Sequence, residues 1–366
     1  MSEVRAAVVT SYGQPLEIRH VRVPEVEDGG ALMRVEAATL CGTDVHFWRA
    51  AESVNATLPY IPGHETTGTL VEVNGERFDI LGRRLQPGDR VLAAYAFCGH
   101  CFYCTIARQP TLCRHSIRFG RQPVTQPPYL LGGCAEMHYL PPACEIISVP
   151  DAVPPALAAS AACALRTVMH GFERLGPIAS HETVLVQGAG PVGLYAAAVT
   201  KDRGARQVLV IGAPVNRLSV ATAWGATDVL DLDVTPDEED RREWVMDHTD
   251  GRGADVVFQC ATLAAVPEGL ALTRAGGRFV SIGGGGAKDL RIPAAAWGRL
   301  IDIKSVVAAE GRHFFQALEF LATRQQRIPF DRLISGSYRL DQTTEALTAM
   351  SELREVKPVI LPAITL

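Results

Sequence analysis

The chain has 366 residues, too many for one ordinary hydrophobic core, so two domains are expected. It is 47% hydrophobic and 20% charged, with 33 glycines and 23 prolines, the composition of a globular protein rich in turns. A net charge of −5 argues against a nucleic-acid partner or an anionic membrane surface, the start MSEVRAAVV lacks a secretory leader pattern, and the alanine-rich run at 156–164 is broken before membrane-spanning length, so a cytoplasmic protein is expected.

The predicted elements begin with short strands at 4–9, 31–36 and 67–73, separated by proline and glycine turns. This β-rich texture runs to about Pro155 and then changes. A helical stretch from 156 is followed by VLVQG at 184–188, VLVI at 208–211, DVLDL at 228–232, DVVFQC at 255–260 and RFVSIGG at 278–284, with a helix in each interval. Strands that are almost wholly apolar and alternate with helices indicate a buried parallel sheet, hence an α/β fold with a doubly wound domain. After about residue 310 come a helix (FFQALEFLA), a proline and a mixed tail that is expected to return to the first domain.

GAGPVG at 188–193 follows a strand and opens a helix, the context in which a glycine-rich loop cradles a dinucleotide. Gly188 permits the tight turn, Gly190 lets backbone approach the pyrophosphate, and Gly193 allows close helix–strand packing at a helix N-terminus that favours phosphate. The second strand of such a fold usually ends in an acid for the ribose hydroxyls, but here Gly212, Ala213 and Pro214 stand there. NAD and NADP therefore both remain open, with Arg217 either a cation for a 2′-phosphate or a solvated helix residue.

Nine cysteines in a long chain without a leader suit metal-binding thiolates better than disulfides. Cys98, Cys101, Cys104 and Cys113 crowd into sixteen residues as C-x2-C-x2-C-x8-C, which matches a closed tetrahedral zinc site better than an iron–sulfur cluster or a nucleic-acid-binding ribbon. A second set is dispersed: Cys41 in LCGTDVHFW, His64 and Glu65 in IPGHET, and Cys163 in AACALRT. Taken singly these read equally well as core thiols and a satisfied loop histidine, and their spacing alone does not rank them higher.

Together, C-G-x-D at 41–44, G-H-E at 63–65, the four-cysteine lobe, GAGPVG, GGRFVSIGG and the closing KPVIL at 357–361 resemble the medium-chain, zinc-containing alcohol dehydrogenases across essentially the whole chain. The resemblance implies a GroES-like catalytic domain from 1–163 with 311–366, its lobe at about 96–116, and a Rossmann domain at 164–310. It implies two zinc ions per chain, a structural one on the lobe and a catalytic one on Cys41, His64 and Cys163, with Glu65 as the nearby catalytic carboxylate that can approach the metal during ligand exchange and Asp44 orienting His64. Thr43 resembles the hydroxyl that bonds the substrate oxygen, and His46 the histidine that carries the proton outward. Pro191, Val192 and Lys357 join the loop glycines as cofactor-binding residues. The sequence departs from the family in the longer gap before Cys113 and in Gly212, and it has Cys163 where polyol-type relatives place a Glu. The implied activity is hydride transfer between an alcohol and NAD(P), by a homodimer or homotetramer acting on a small alcohol or carbonyl compound. A bulky or cyclic secondary alcohol is the expected substrate, with Phe47, Trp48, Tyr95 and Phe97 as candidate pocket walls or core packing. The rival readings are a zinc-free quinone or enoyl reductase of the same superfamily and a non-catalytic dinucleotide-binding protein.

Overall fold

A computed structural model describes residues 2–49, 56–284, 289, 290, 292 and 294–362. The chain forms two compact units: Met1–Arg166 with Ala309–Arg324 and Leu333–Leu366, and Thr167–Ala308 with Gln325–Arg332. No helix among the described residues is long and apolar enough to cross a membrane.

In chain order the first unit supplies β1 (Glu3–Val8), β2 (Glu17–Arg22), β3 (Ala31–Thr39), β4 (Glu65–Val73), β5 (Arg90–Ala96), β6 (Met137–Leu140) and β7 (Cys144–Ser148). The second supplies β8 (Thr183–Gln187), β9 (Gln207–Gly212), β10 (Asp228–Asp231), β11 (Ala254–Gln259), β12 (Thr273–Ser281) and β13 (Asp302–Ser305). The chain then returns to the first unit for β14 (Ile334–Tyr338) and β15 (Lys357–Ile360).

The first unit pairs β1 with β2 and builds a GroES-like sheet in the order β14-β15-β3-β4-β5-β7, with β6 added along β3. The long β3 and β4 carry apolar residues on the buried side, and their ladder runs from Ala31 opposite Val73 to Thr39 opposite Glu65. Their ends deliver the chain to Cys41 and His64. Ala6, Val8, Met33, Leu40, Tyr60 and Tyr139 belong to the core beneath.

The second unit is a six-stranded parallel sheet in the order β10-β9-β8-β11-β12-β13. Numbered within the unit this is 3-2-1-4-5-6, the doubly wound dinucleotide-binding arrangement, in which ligands gather at the switch point beyond the first strand. Every residue of β8 is buried, as a strand covered on both faces requires.

The C-terminal segment does not stay wholly with the first unit. Residues 325–332 group with the second. There Phe330 packs edge-on to Trp224 at 5.3 Å between centroids, Tyr195 lies 5.2 Å from Trp224, and Trp224 Nε1 donates to the Pro329 carbonyl at 3.0 Å. Three buried aromatic rings outweigh the continuity of the chain, because each removes a large apolar surface from water.

Candidate functional site

Cys41, His64, Glu65 and Cys163 converge in the first unit, with one donor atom from each lying within 4.8 Å of the others. Cys41 caps the helix Gly42–Trp48 directly after β3, and His64 precedes β4. Cys163 lies in a single π-helical turn, Ala161–Leu165, between the helices Pro155–Ser160 and Arg166–Leu175. Such turns are inserted into helices frequently at functional positions.

Asp44 organises the cluster from below. Its Oδ2 accepts from the Cys41 N–H at 2.9 Å, and its Oδ1 accepts from the Gly63 N–H at 3.2 Å and from His64 Nδ1 at 3.3 Å. The imidazole is thereby fixed with Nε2 toward the thiols, 3.5 Å from Cys41 Sγ. Zinc bond lengths of about 2.3 Å to sulfur and about 2.05 Å to nitrogen give a sulfur–nitrogen tetrahedral edge of about 3.6 Å, so this pair has the separation of two ligands on one ion. Cys163 hydrogen-bonds the Cys41 sulfur, which holds Cys41 well below the ordinary thiol range and Cys163 above it. Burial pulls His64 down, but Tyr95, Cys41 and Asp44 more than offset it and hold it well above its usual value.

Glu65 opens β4 with its side chain fully buried. Thr39 Oγ1 donates to Oε2 at 2.5 Å, and Lys357 Nζ donates to Oε1 at 2.7 Å. Burial pushes the carboxyl up to about 7 against the pull of Lys357. Burial lowers Lys357 in turn, yet Glu65, Cys41 and Cys163 leave it above the ordinary ammonium range. Lys357, expected to bind cofactor, has its ammonium on Glu65 in the interior of the first unit, with no exposed surface. The signal in the sequence was a lysine inside the apolar run VKPVI, which a buried strand tolerates only with a partner. Thr39 was not singled out, since its role comes from standing opposite Glu65 across the sheet.

On the helix Gly42–Trp48, Thr43 and His46 are exposed, three residues apart on its outer side. Phe47 and Trp48 face inward and belong to the core, with Trp48 Nε1 donating to the Gln14 carbonyl at 2.7 Å. Of their two readings, core packing is the one the structure supports. Phe97 is half-buried. Tyr95 is also half-buried, its ring 5.4 Å from the Arg166 guanidinium and 6.0 Å from Phe119. Arg166 is another residue the sequence did not flag. It lies buried one turn after Cys163, donates from Nε to the Ala162 carbonyl at 2.8 Å, and stacks on Phe314 at 5.3 Å as well as on Tyr95.

The four lobe cysteines form a second donor cluster. Sulfur separations are 3.9 Å for Cys98–Cys104, 3.6 Å for Cys101–Cys104 and 3.9 Å for Cys101–Cys113. Four thiolates around one zinc would stand about 3.8 Å apart, so the set fits. The long gap before Cys113 is taken up by the 3-10 turn Pro110–Leu112, where the Cys113 N–H bonds the Pro110 carbonyl at 2.9 Å.

In the second unit, Gly188 has φ +102°, and a Cβ on Gly193 would stand 1.8 Å from the Gly188 carbonyl oxygen, so no other residue fits there. Pro191 and Val192 open the helix Pro191–Asp202 with Gly190 as its cap, and a Cβ on Gly190 would meet open space. At the end of β9, a Cβ on Gly212 would lie 2.5 Å from the Ala189 Cβ, so any side chain there presses on the loop itself. Arg217 is 6% exposed and burial lowers its pKa, which removes the reading of it as a solvated helix residue.

The family described as the alcohol dehydrogenase GroES-like domain matches residues 27–151, and the zinc-binding dehydrogenase family matches 191–323. The chain is 34% identical to 5-exo-hydroxycamphor dehydrogenase of Pseudomonas putida over 98% of its length and 99% of that protein. An alcohol dehydrogenase structure from Thermotoga maritima superposes with a TM-score of 0.91 at 30% identity, covering 99% of this chain and all of that one. A zinc-binding dehydrogenase structure from Sinorhizobium meliloti, bound to NADP, gives 0.85 at 26% identity, covering 99% and 100% of the two chains. Two matched domains, the doubly wound sheet and full-length similarity agree, and the chain belongs to the zinc-type medium-chain dehydrogenase/reductase family.

Proposed function

We propose that this oxidoreductase is an alcohol dehydrogenase that moves a hydride between a secondary, bulky or cyclic alcohol and NAD(P), with zinc held by Cys41, His64 and Cys163 and a second zinc held by the four-cysteine lobe. The observation that carries the reading is the largely buried donor set, whose thiol–imidazole edge of 3.5 Å matches the edge of a zinc tetrahedron. When bound there, zinc supplies Lewis acidity that lowers the pKa of an attached hydroxyl. Asp44 keeps the proton of His64 on Nδ1, leaving Nε2 as donor to the metal. Thr43 Oγ1 takes the alcohol proton and His46 hands it to solvent, roles supported by their exposure on one side of the helix Gly42–Trp48. The loop 188–193 holds the pyrophosphate on the helix N-terminus.

The Pseudomonas putida relative is named for a hydroxylated camphor, which supports a ring alcohol as substrate. With no carboxylate at Gly212, a 2′-phosphate meets no repulsion there, and NADP is accepted as well as NAD; the NADP-bound Sinorhizobium relative supports this. The protein assembles as a homodimer or homotetramer. In support, β13 ends the parallel sheet with its outer side unpaired among the described residues and Ile303 exposed on it.

The test is metal analysis of the purified chain with a screen of cyclic and open-chain alcohols and ketones against both cofactors. Two zinc ions per chain are expected, and Cys163→Ala is expected to keep one of them and lose turnover. Full activity in Cys163→Ala would end this assignment of ligands.

A further inference from the structure

One buried ion pair beside the first donor set takes no part in the chemistry above. Thr39 closes β3, Glu65 opens β4 and Lys357 opens β15, on three neighbouring strands. Thr39 stands opposite Glu65, and Val359 stands opposite Thr39. Alternate residues of a strand share a face, so Lys357 projects to the same side as Val359 and reaches Glu65. Both oxygens of the carboxylate are held: Lys357 Nζ lies 2.7 Å from Oε1 and 2.5 Å from Oε2, and Thr39 adds its bond to Oε2 at 2.5 Å.

Such a pair contributes little net stability, because stripping two ions of water costs about as much as their attraction returns. Apolar residues of similar volume would pack the same space without that cost. What the pair does fix is where the carboxylate stands. Glu65 Oε1 is 4.0 Å from His64 Nε2. A fourth ligand oxygen on a tetrahedral zinc would stand about 3.4 Å from that nitrogen. The carboxylate therefore stops roughly half an ångström short of a ligand position. Without Lys357, a buried carboxylate would lose its counter-charge, and the nearest positive centre left to it would be the metal.

We propose that Lys357, with Thr39, is a positioning device that holds Glu65 back from the fourth coordination position of the ion bound by Cys41, His64 and Cys163, so that the position stays open to substrate. The inference rests on the catalytic-metal reading above. Four protein ligands close a zinc site, and three leave it open for chemistry. Glu65 is the group in this cluster able to make the fourth.

The test uses the zinc-loaded full chain and its cobalt(II)-substituted form, comparing wild type with Lys357→Met, Thr39→Val and the double variant Glu65→Gln/Lys357→Met. Lys357→Met is expected to release its catalytic-site zinc to a chelator about 10-fold more slowly, to show a shifted cobalt absorption spectrum and to lose turnover. Thr39→Val moves in the same direction by a smaller factor, and the double variant returns metal release and spectrum to the wild-type values. A lysine that merely supports the site predicts the opposite sign, since removing groups that brace metal ligands ordinarily weakens binding by about 10–100-fold. Faster or unchanged release in Lys357→Met, or a double variant that behaves like Lys357→Met, overturns the proposal. If Lys357→Met does not fold, Thr39→Val decides alone: slower release supports the restraint, and unchanged or faster release refutes it. A wild-type chain whose only zinc survives in Cys163→Ala would instead overturn the metal reading on which the inference stands.

Discussion

Acid sensitivity of the first unit should trace in large part to His138. This residue lies on β6 opposite Met33 of β3, is 1% exposed, and sets its ring edge-on to Phe119 at 4.6 Å between centroids. Neither ring nitrogen has a hydrogen-bond partner among the described residues. Burial drives its pKa down to about 3, so the folded protein keeps the ring neutral while the unfolded chain titrates near the ordinary 6.5. Below pH 6.5 the unfolded state therefore binds a proton that the folded state refuses. Stability is complete above about 6.5 and is lost as the pH falls toward about 3. At about 1.4 kcal/mol per pH unit, the loss attributable to this one ring reaches about 2 kcal/mol by pH 5. His138→Leu replaces it with an apolar side chain of similar size and removes the titration. Urea unfolding of both proteins at about pH 7.5 and about pH 5 gives the comparison, in which the shared carboxylates and cysteines cancel. The wild type should lose about 2 kcal/mol more than His138→Leu over that interval. Equal losses, within about 0.5 kcal/mol, would show that the ring is protonated or watered in the folded state and that the reasoning is wrong.

Other outcomes follow from the same geometry. Cys101→Ser removes a sulfur placed 3.6 Å from Cys104 and 3.9 Å from Cys113, so it should lose the lobe zinc and lower thermal stability while retaining the zinc on Cys41, His64 and Cys163. A folded variant of normal stability without turnover would make the lobe catalytic instead. Gly212→Asp, the obvious substitution for enforcing NAD preference, should fail, because its Cβ would fall 2.7 Å from the Ala189 nitrogen. Displacing the loop by overpacking should raise KM for both cofactors by about 10-fold or more, a cost of about 1–3 kcal/mol. A clean switch toward NAD with unchanged KM would show that the loop yields freely.

What the sequence determined by itself is the part written in local pattern. The strands of the parallel sheet are legible because both faces are covered, which forces apolar runs such as VLVQ and VVFQ. The dinucleotide loop is legible because Gly188 and Gly193 answer backbone constraints that no other residue meets. The lobe cysteines are legible because four thiols within sixteen residues leave few alternatives. Strands β2, β5 and β7 were not legible, since the mostly exposed EIRHVR carries no distinct period and the short, largely buried RVLAAYA and CEIIS are too brief for periodicity to tell strand from helix. Nor could pattern alone gather Cys41, His64 and Cys163: they converge because β3 and β4 end side by side and a π turn aims Cys163 at that end.

Two features come from packing and strand register and not from local pattern. Residues 325–332 leave the first unit because Trp224 and Tyr195 provide an apolar socket for Phe330, a fact of packing that chain order does not contain. Lys357 meets Glu65 because β15 pairs with β3 in one register. A shift of one residue would carry the lysine to the other face of the sheet and leave Glu65 without its ammonium.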